Sequence, residues 1–171
     1  MKKSTYAVRI VNLAVLIAID VILTRLCSVN TLFFRISFGF LPVVIAAMLY
    51  GPWYAGAGAA IADIVGTLIF PTGTYFPGFT LTAFLTGAVY GLLLYRKHRS
   101  VGQIIAAVLL AALLFEVGLN ALWLHILTGK GMLALLPIRL VQAGIMVPIR
   151  IVGIFSAGRL VTHLDRPVRA S

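Results

Sequence analysis

Acidic residues are almost missing from this chain: Asp20, Asp63, Glu116 and Asp165 are the only four in 171 residues. Charged residues of both signs reach just 11%, against 61% hydrophobic and a mean hydropathy of +1.08. Soluble domains carry about 25% charged and about 45–50% apolar residues. The shortage excludes an ordinary soluble globule, a disordered chain and a coiled coil. A lone cysteine, Cys27, excludes an intrachain disulfide and a cysteine-based metal site. His98, His125 and His163 are too few, and fall on opposite membrane sides, to assemble a metal cluster, so no metal is expected. There is no P-loop, no G-x-G-x-x-G, no H-E-x-x-H and no hydrophilic stretch large enough for a nucleotide site. No acid pair at close helical spacing and no nucleophile–base pair is visible. No catalytic residue and no cofactor is therefore expected, and any use of ATP falls to another chain.

Long hydrophobic runs take up what remains. Residues 36–62 and 64–95 carry no charge at all, and about 20 apolar residues suffice to cross a bilayer. The fold expected is an all-α integral membrane protein, one membrane domain over 1–171. Its six transmembrane helices fall at about 7–27, 36–50, 53–70, 78–95, 101–128 and 132–163. Pro137 and Pro148 lie inside the last, which leaves a start as late as Pro137 open as an alternative. The net charge of +10 sits in short runs between apolar stretches, as membrane topology demands, and not on a solvated basic face for nucleic acid. Nine cations (Lys2, Lys3, Arg9, Arg96, Lys97, Arg99, Arg159, Arg166, Arg169) fall on the side of both termini, and four (Arg25, Arg35, Lys130, Arg139) on the other. That bias places both termini in the cytoplasm. Met1-Lys2-Lys3 before an apolar run imitates a signal peptide, but Asp20 and Arg25 interrupt it and no small-x-small cleavage site follows. The segment reads as a retained first helix.

Small residues recur every fourth position: Gly58, Ala62 and Gly66 in the third span, Ala83, Gly87 and Gly91 in the fourth, Ala14 and Ala18 in the first. Small faces let helices approach closely, the main source of attraction in lipid. Packing within the chain is the expectation for the third and fourth spans. The Ala14/Ala18 face equally suits another membrane protein. Asp20, Asp63 and Glu116 lie within spans, where a charge costs about 2.5–3.5 kcal/mol and so faces a cavity or a partner. Asp63 shares a helix face with Thr67, and Glu116 with Asn120, near Trp123. Arg25, Arg35 and Arg139 stand at the same membrane side. The connection Phe70-Pro71-Thr72-Gly73-Thr74-Tyr75-Phe76-Pro77-Gly78-Phe79 adds aromatics. Internal ion pairs and an interfacial aromatic belt explain these residues one by one. Taken together they suit a polar pocket open to the outside. Acids accept N–H donors, arginines clamp carboxylates, and aromatics stack on flat rings. A flat donor-bearing heterocycle with an anionic tail meets all three.

The runs Arg35-Ile36-Ser37-Phe38-Gly39-Phe40-Leu41-Pro42, Tyr50-Gly51-Pro52, Ala62-Asp63 and Phe70 to Thr80 resemble the folate-specific S components (the FolT family) of energy-coupling factor (ECF) transporters. The likeness is strongest over about 10–95. It implies a vitamin-binding subunit of the cell membrane, without ATPase activity, that captures folate from outside. Its implied partners are a transmembrane coupling subunit and two cytoplasmic ATPases. On this reading Asp63 or Glu116 accepts from the pterin edge, and Tyr75, Phe76 and Phe79 stack on the ring. Arg25, Arg35 or Lys130 meets the glutamate tail, Asn120 and Arg139 complete the pocket, and Ala14 and Ala18 form the docking patch. An S component for another vitamin, a stand-alone secondary transporter of a small anion, and a membrane-embedded enzyme are the alternatives.

Overall fold

A computed structural model describes residues 2–30, 35–71, 75–95, 100–129 and 131–168; for 2–6, 29–30, 35–36, 132–135, 160 and 162–168 it describes the backbone alone. Among the described residues six helices form one bundle: α1 (Lys2–Arg25), α2 (Phe40–Tyr50), α3 (Pro52–Ile69), α4 (Pro77–Leu94), α5 (Val101–Thr128) and α6 (Met132–Val168). Proline opens α3 and α4 at their first position, where a missing N–H costs nothing. Ser100 caps α5 by accepting from the Gln103 N–H, and Gly129, in the left-handed region at φ 66°, ends it.

Among the described residues, four segments are long and apolar enough to cross a membrane: Ala7–Arg25, Pro77–Leu94, Val101–Thr128 and Leu136–Arg159. α3 has 18 residues but is diluted by alanine and glycine. α2 differs from expectation. It starts at Phe40, not near 36, and its 11 residues reach about 16 Å, half of the bilayer core. The residues before it form a small antiparallel hairpin, β1 (Val29–Asn30) and β2 (Arg35–Ile36), with Val29 opposite Ile36 and Asn30 opposite Arg35. No hydropathy signal marks so short a pair. α6 starts at Met132, not at the alternative near Pro137, and runs unbroken through Pro137 and Pro148. Each proline removes one backbone hydrogen bond, a loss that a helix held against its neighbours tolerates.

The helices alternate between two ends. The Lys2 end gathers Tyr50, Pro52, Leu94 and Val101, and here lies the apolar core: Val44, Ala47, Met48, Ala55, Tyr90, Leu94, Ile104, Val108, Ile154 and Val161. Its density depends on close backbone approach between α3 and α4. A Cβ at Gly87 would lie 2.6 Å from the Ala55 carbonyl oxygen, and one at Gly91 2.3 Å from Pro52 Cα. Gly58 meets Leu13 and Ile17 of α1, and Gly66 meets Arg25. The small stripes of α3 and α4 thus pack inside the chain. Ala14 and Ala18 do not: both are exposed, beside Val11, Val15 and Ile22. The opposite end, marked by Arg25, Ile69, Pro77 and Thr128, carries the polar side chains.

Candidate substrate-binding site

Three helices meet at the Arg25 end around one carboxylate. Arg25, on the last turn of α1, donates from Nη2 to Thr67 Oγ1 at 2.7 Å and lies 3.7 Å from Asp63 Oδ1. Thr67 in turn donates to the Asp63 carbonyl oxygen. From α4, Thr80 donates to Asp63 Oδ2 at 2.8 Å, and Tyr75 OH lies 3.2 Å from Thr80 Oγ1. The Arg25 side chain is 6% exposed and that of Asp63 25%, so the arginine is nearly covered while the carboxylate keeps an accessible edge. Asp20, one turn before Thr24, accepts from the Thr24 hydroxyl at 2.8 Å, so a second acid of α1 is satisfied locally.

Beside this cluster stands an aromatic one. The Phe76 and Phe79 rings meet edge to face at 6.1 Å, and Phe76 lies 5.6 Å from Trp123 of α5. Trp123 Nε1 donates to Thr82 Oγ1 at 3.0 Å. One turn deeper on α5, Asn120 keeps a buried Oδ1 with no hydrogen-bond partner among the described residues. A further turn down, Glu116 pairs with Arg150 of α6. The Arg150 guanidinium lies over the Phe40 ring, 5.7 Å from its centroid. Arg139 reaches its neighbour Gln142.

Of the residues singled out in the sequence, Arg25, Asp63 and Tyr75 come together. Phe76 and Phe79 form the second group, and Asn120 and Glu116 lie along the α5 face that bears Trp123. Arg139 stays on α6, bonded within its own helix. Arg35 sits in β2, but its side chain, like Lys130, Phe33 and Phe34, lies outside the described residues. Thr67, Thr80, Thr82 and Arg150 escaped the sequence reading as functional groups. Thr67 was legible as Asp63's neighbour four residues on, and Arg150 as a cation in the middle of the sixth span. Thr80 and Thr82 carry no separate sequence signal. A cavity of about 440 Å³ between Phe38, Phe40, Leu41, Pro148, Ile149, Val152 and Gly153 is lined by apolar residues and does not include the carboxylate cluster. At that cluster the side chains bond to one another, so a ligand would exchange those bonds for its own.

The family model of the substrate-specific component of ECF transporters matches residues 8–158. This chain belongs to that family. The S component is 41% identical, over 91% of its length and 90% of the relative's, to the folate transporter FolT of Clostridium novyi (strain NT). It is 34% identical to the folate transporter FolT of Leuconostoc mesenteroides subsp. mesenteroides, over 82% of this chain and 79% of that one. It also superposes on a crystal structure of FolT bound with folic acid with a TM-score of 0.83 at 40% identity, covering 88% of this chain and 92% of that one. S components are binding components of transporters, not enzymes, and this one is a multi-pass protein of the cell membrane.

Proposed function

We propose that this S component captures folate at the outer face of the cell membrane and delivers it for ATP-driven uptake. The observation that carries the reading is the paired arrangement at the Arg25 end. An acceptor carboxylate, held by Arg25 and Thr80, stands beside a cluster of three aromatic rings. Asp63 takes the amino and N–H donors of the pterin edge, with Tyr75 completing the hydrogen-bonded rim. Phe76 and Phe79 flank the ring, and Asn120, whose amide oxygen lacks a partner among the described residues, offers a further acceptor. Glu116, paired with Arg150, lies beneath. Arg25, 3.7 Å from Asp63 Oδ1, keeps the carboxylate aimed. Arg35 and Arg139 meet the carboxylates of the glutamate tail. The likeness to FolT relatives, one of them bound with folic acid, supports the choice of folate over other vitamins.

Both termini then lie in the cytoplasm, as the cation bias demands. The partners are a transmembrane coupling subunit and two cytoplasmic ATPases, which supply the hydrolysis this chain lacks. The exposed Ala14/Ala18 face of α1 is the patch on which the coupling subunit packs. Calorimetric titration of detergent-purified protein with folate, without ATP, tests the reading. Saturable binding near one folate per chain is expected. Heat with another vitamin and none with folate would overturn the ligand.

A further inference from the structure

α5 is not one regular helix. Its backbone hydrogen bonds pass from four-residue spacing (Ala111 N–H to Ala107 O) to five-residue spacing (Asn120 N–H to Phe115 O) and back to four (Gly129 N–H to His125 O). Ala111–Leu119 is a π-helical segment, and its widened turns take up one residue beyond what an α-helix would hold. Such segments are uncommon, and they concentrate at functional sites. One residue of an α-helix corresponds to about 100° of rotation and about 1.5 Å of rise. The segment therefore decides which way everything after it points, including Asn120 and Trp123.

The two halves of α5 are fixed in different ways. Before and at the start of the segment, Ala107, Val108, Ala111 and Ala112 are fully buried in the core, so that half is held by packing. Within the segment, Leu113 and Leu114 are more than half exposed, and Glu116 is the only charged residue. Its bond to Arg150 joins the segment to another helix. Arg150 is itself held from a further side by the Phe40 ring of α2. Three helices thus converge on the one charge that anchors the π turns. In a continuous α register Trp123 would swing off Thr82 and away from Phe76.

We propose that Arg150 is a positioning residue: by pairing with Glu116 it holds the π register of α5, and that register places Trp123 and Asn120 on the ligand site. Arg150 acts through Glu116 and needs no contact with the ligand. The proposal deepens the folate reading and rests on it only for the affinity measured below. The competing account is that Arg150 merely neutralises a buried carboxylate.

Trp53 and Trp123 are the only tryptophans, and Trp53 is 76% exposed at the other end of the bundle. A Trp53→Phe background therefore makes emission and acrylamide quenching report Trp123 alone, in ligand-free protein. Replacing both charges together (Glu116→Leu with Arg150→Met) leaves no unpaired charge. The expected result is a shifted, more quenchable Trp123 emission, with folate affinity down roughly tenfold from the lost aromatic contact. Deleting lipid-facing Leu114 in that variant removes the surplus residue and should return the emission to that of the parent. Parental emission in the double variant would overturn the proposal in favour of simple neutralisation. So would a shift that the deletion does not reverse. Should the double variant not fold, Glu116→Gln, which keeps the shape and drops the charge, is read on the same scale, and parental emission there counts equally against the idea. Because emission is read without ligand, a parent protein that failed to bind folate would refute the ligand and leave this test standing.

Discussion

Removing one methyl-sized polar atom tests whether the carboxylate at the site is aimed or merely present. Thr80→Val keeps the shape of the side chain and deletes its hydroxyl. The 2.8 Å bond to Asp63 Oδ2 is lost, and with it the 3.2 Å contact to Tyr75 OH. Hydrogen bonds to charged groups contribute about 1.5–3 kcal/mol. Asp63 retains Arg25 at its other oxygen, 3.7 Å away, so the carboxylate keeps that neighbour and loses its direction. If Asp63 must be held in one orientation for the pterin edge, folate affinity falls by an amount bounded by that one bond. The bound is a factor of about 10 to 150, since about 1.4 kcal/mol is tenfold. Isothermal titration of the purified variant with folate, beside Thr80→Ser as the hydroxyl-retaining control, measures it. The serine variant should bind within a few-fold of the parent. A valine variant that binds folate like the parent, while Asp63→Asn does not, would refute the orienting role of Thr80. Equal loss in the serine and valine variants would show that the methyl contact matters as much as the hydroxyl, and the loss could not then be assigned to the bond alone.

Three further outcomes follow from the same geometry. Arg25→Ala should weaken folate and a pterin lacking the glutamate tail alike, because Arg25 holds Asp63 and does not reach for the tail; parallel titrations with the two ligands check this, and selective loss of folate would reassign Arg25 to the tail. Ala14→Trp with Ala18→Trp should leave folate binding intact and abolish radiolabelled folate uptake in cells carrying the whole transporter, since both positions face outward from the bundle; intact uptake would place the face against lipid. Gly91→Val should lower stability by about 1–3 kcal/mol through overpacking, because its Cβ has only 2.3 Å to Pro52 Cα; thermal unfolding in detergent reads the change, and an unshifted midpoint would mean that α3 and α4 can separate without cost.

Hydropathy made the membrane class and the helix order legible because a bilayer rewards long charge-free runs, and this chain has two of them. It misplaced the start of α2 because Ile36, Phe38 and Phe40 look equally apolar in a strand, a loop or a helix. Period alone cannot separate these over so few residues. It left a late start open for α6 because proline is judged by its missing N–H, whereas neighbouring helices decide whether the loss matters, and the helix begins at Met132. At the site, charge inside a span was a strong signal and brought Asp63 and Glu116 forward. Which partner each acid takes was not legible. Arg25 and Asp63 are 38 positions apart and Glu116 and Arg150 are 34, and only the bundle's crossing angles bring them together. Threonines went unnoticed because they bond to the backbone of their own helix as readily as to a ligand site. Thr82 does both, donating to Gly78 O and accepting from Trp123.

The shortness of α2 bears on how the protein is made. A segment of 11 apolar residues does not partition into the bilayer by itself, and the hairpin before it carries backbone N–H and C=O groups that lipid cannot satisfy. α2 is joined to α3 through the single residue Gly51, at φ 91°, which turns the chain back with no room for a loop. The insertion machinery therefore receives α2 and α3 as one folded-over unit. α2 stays in the membrane only once α3 and its neighbours shelter it. Biogenesis of this subunit should accordingly stall on ribosomal truncations that end just after Tyr50 and proceed on those that expose α4.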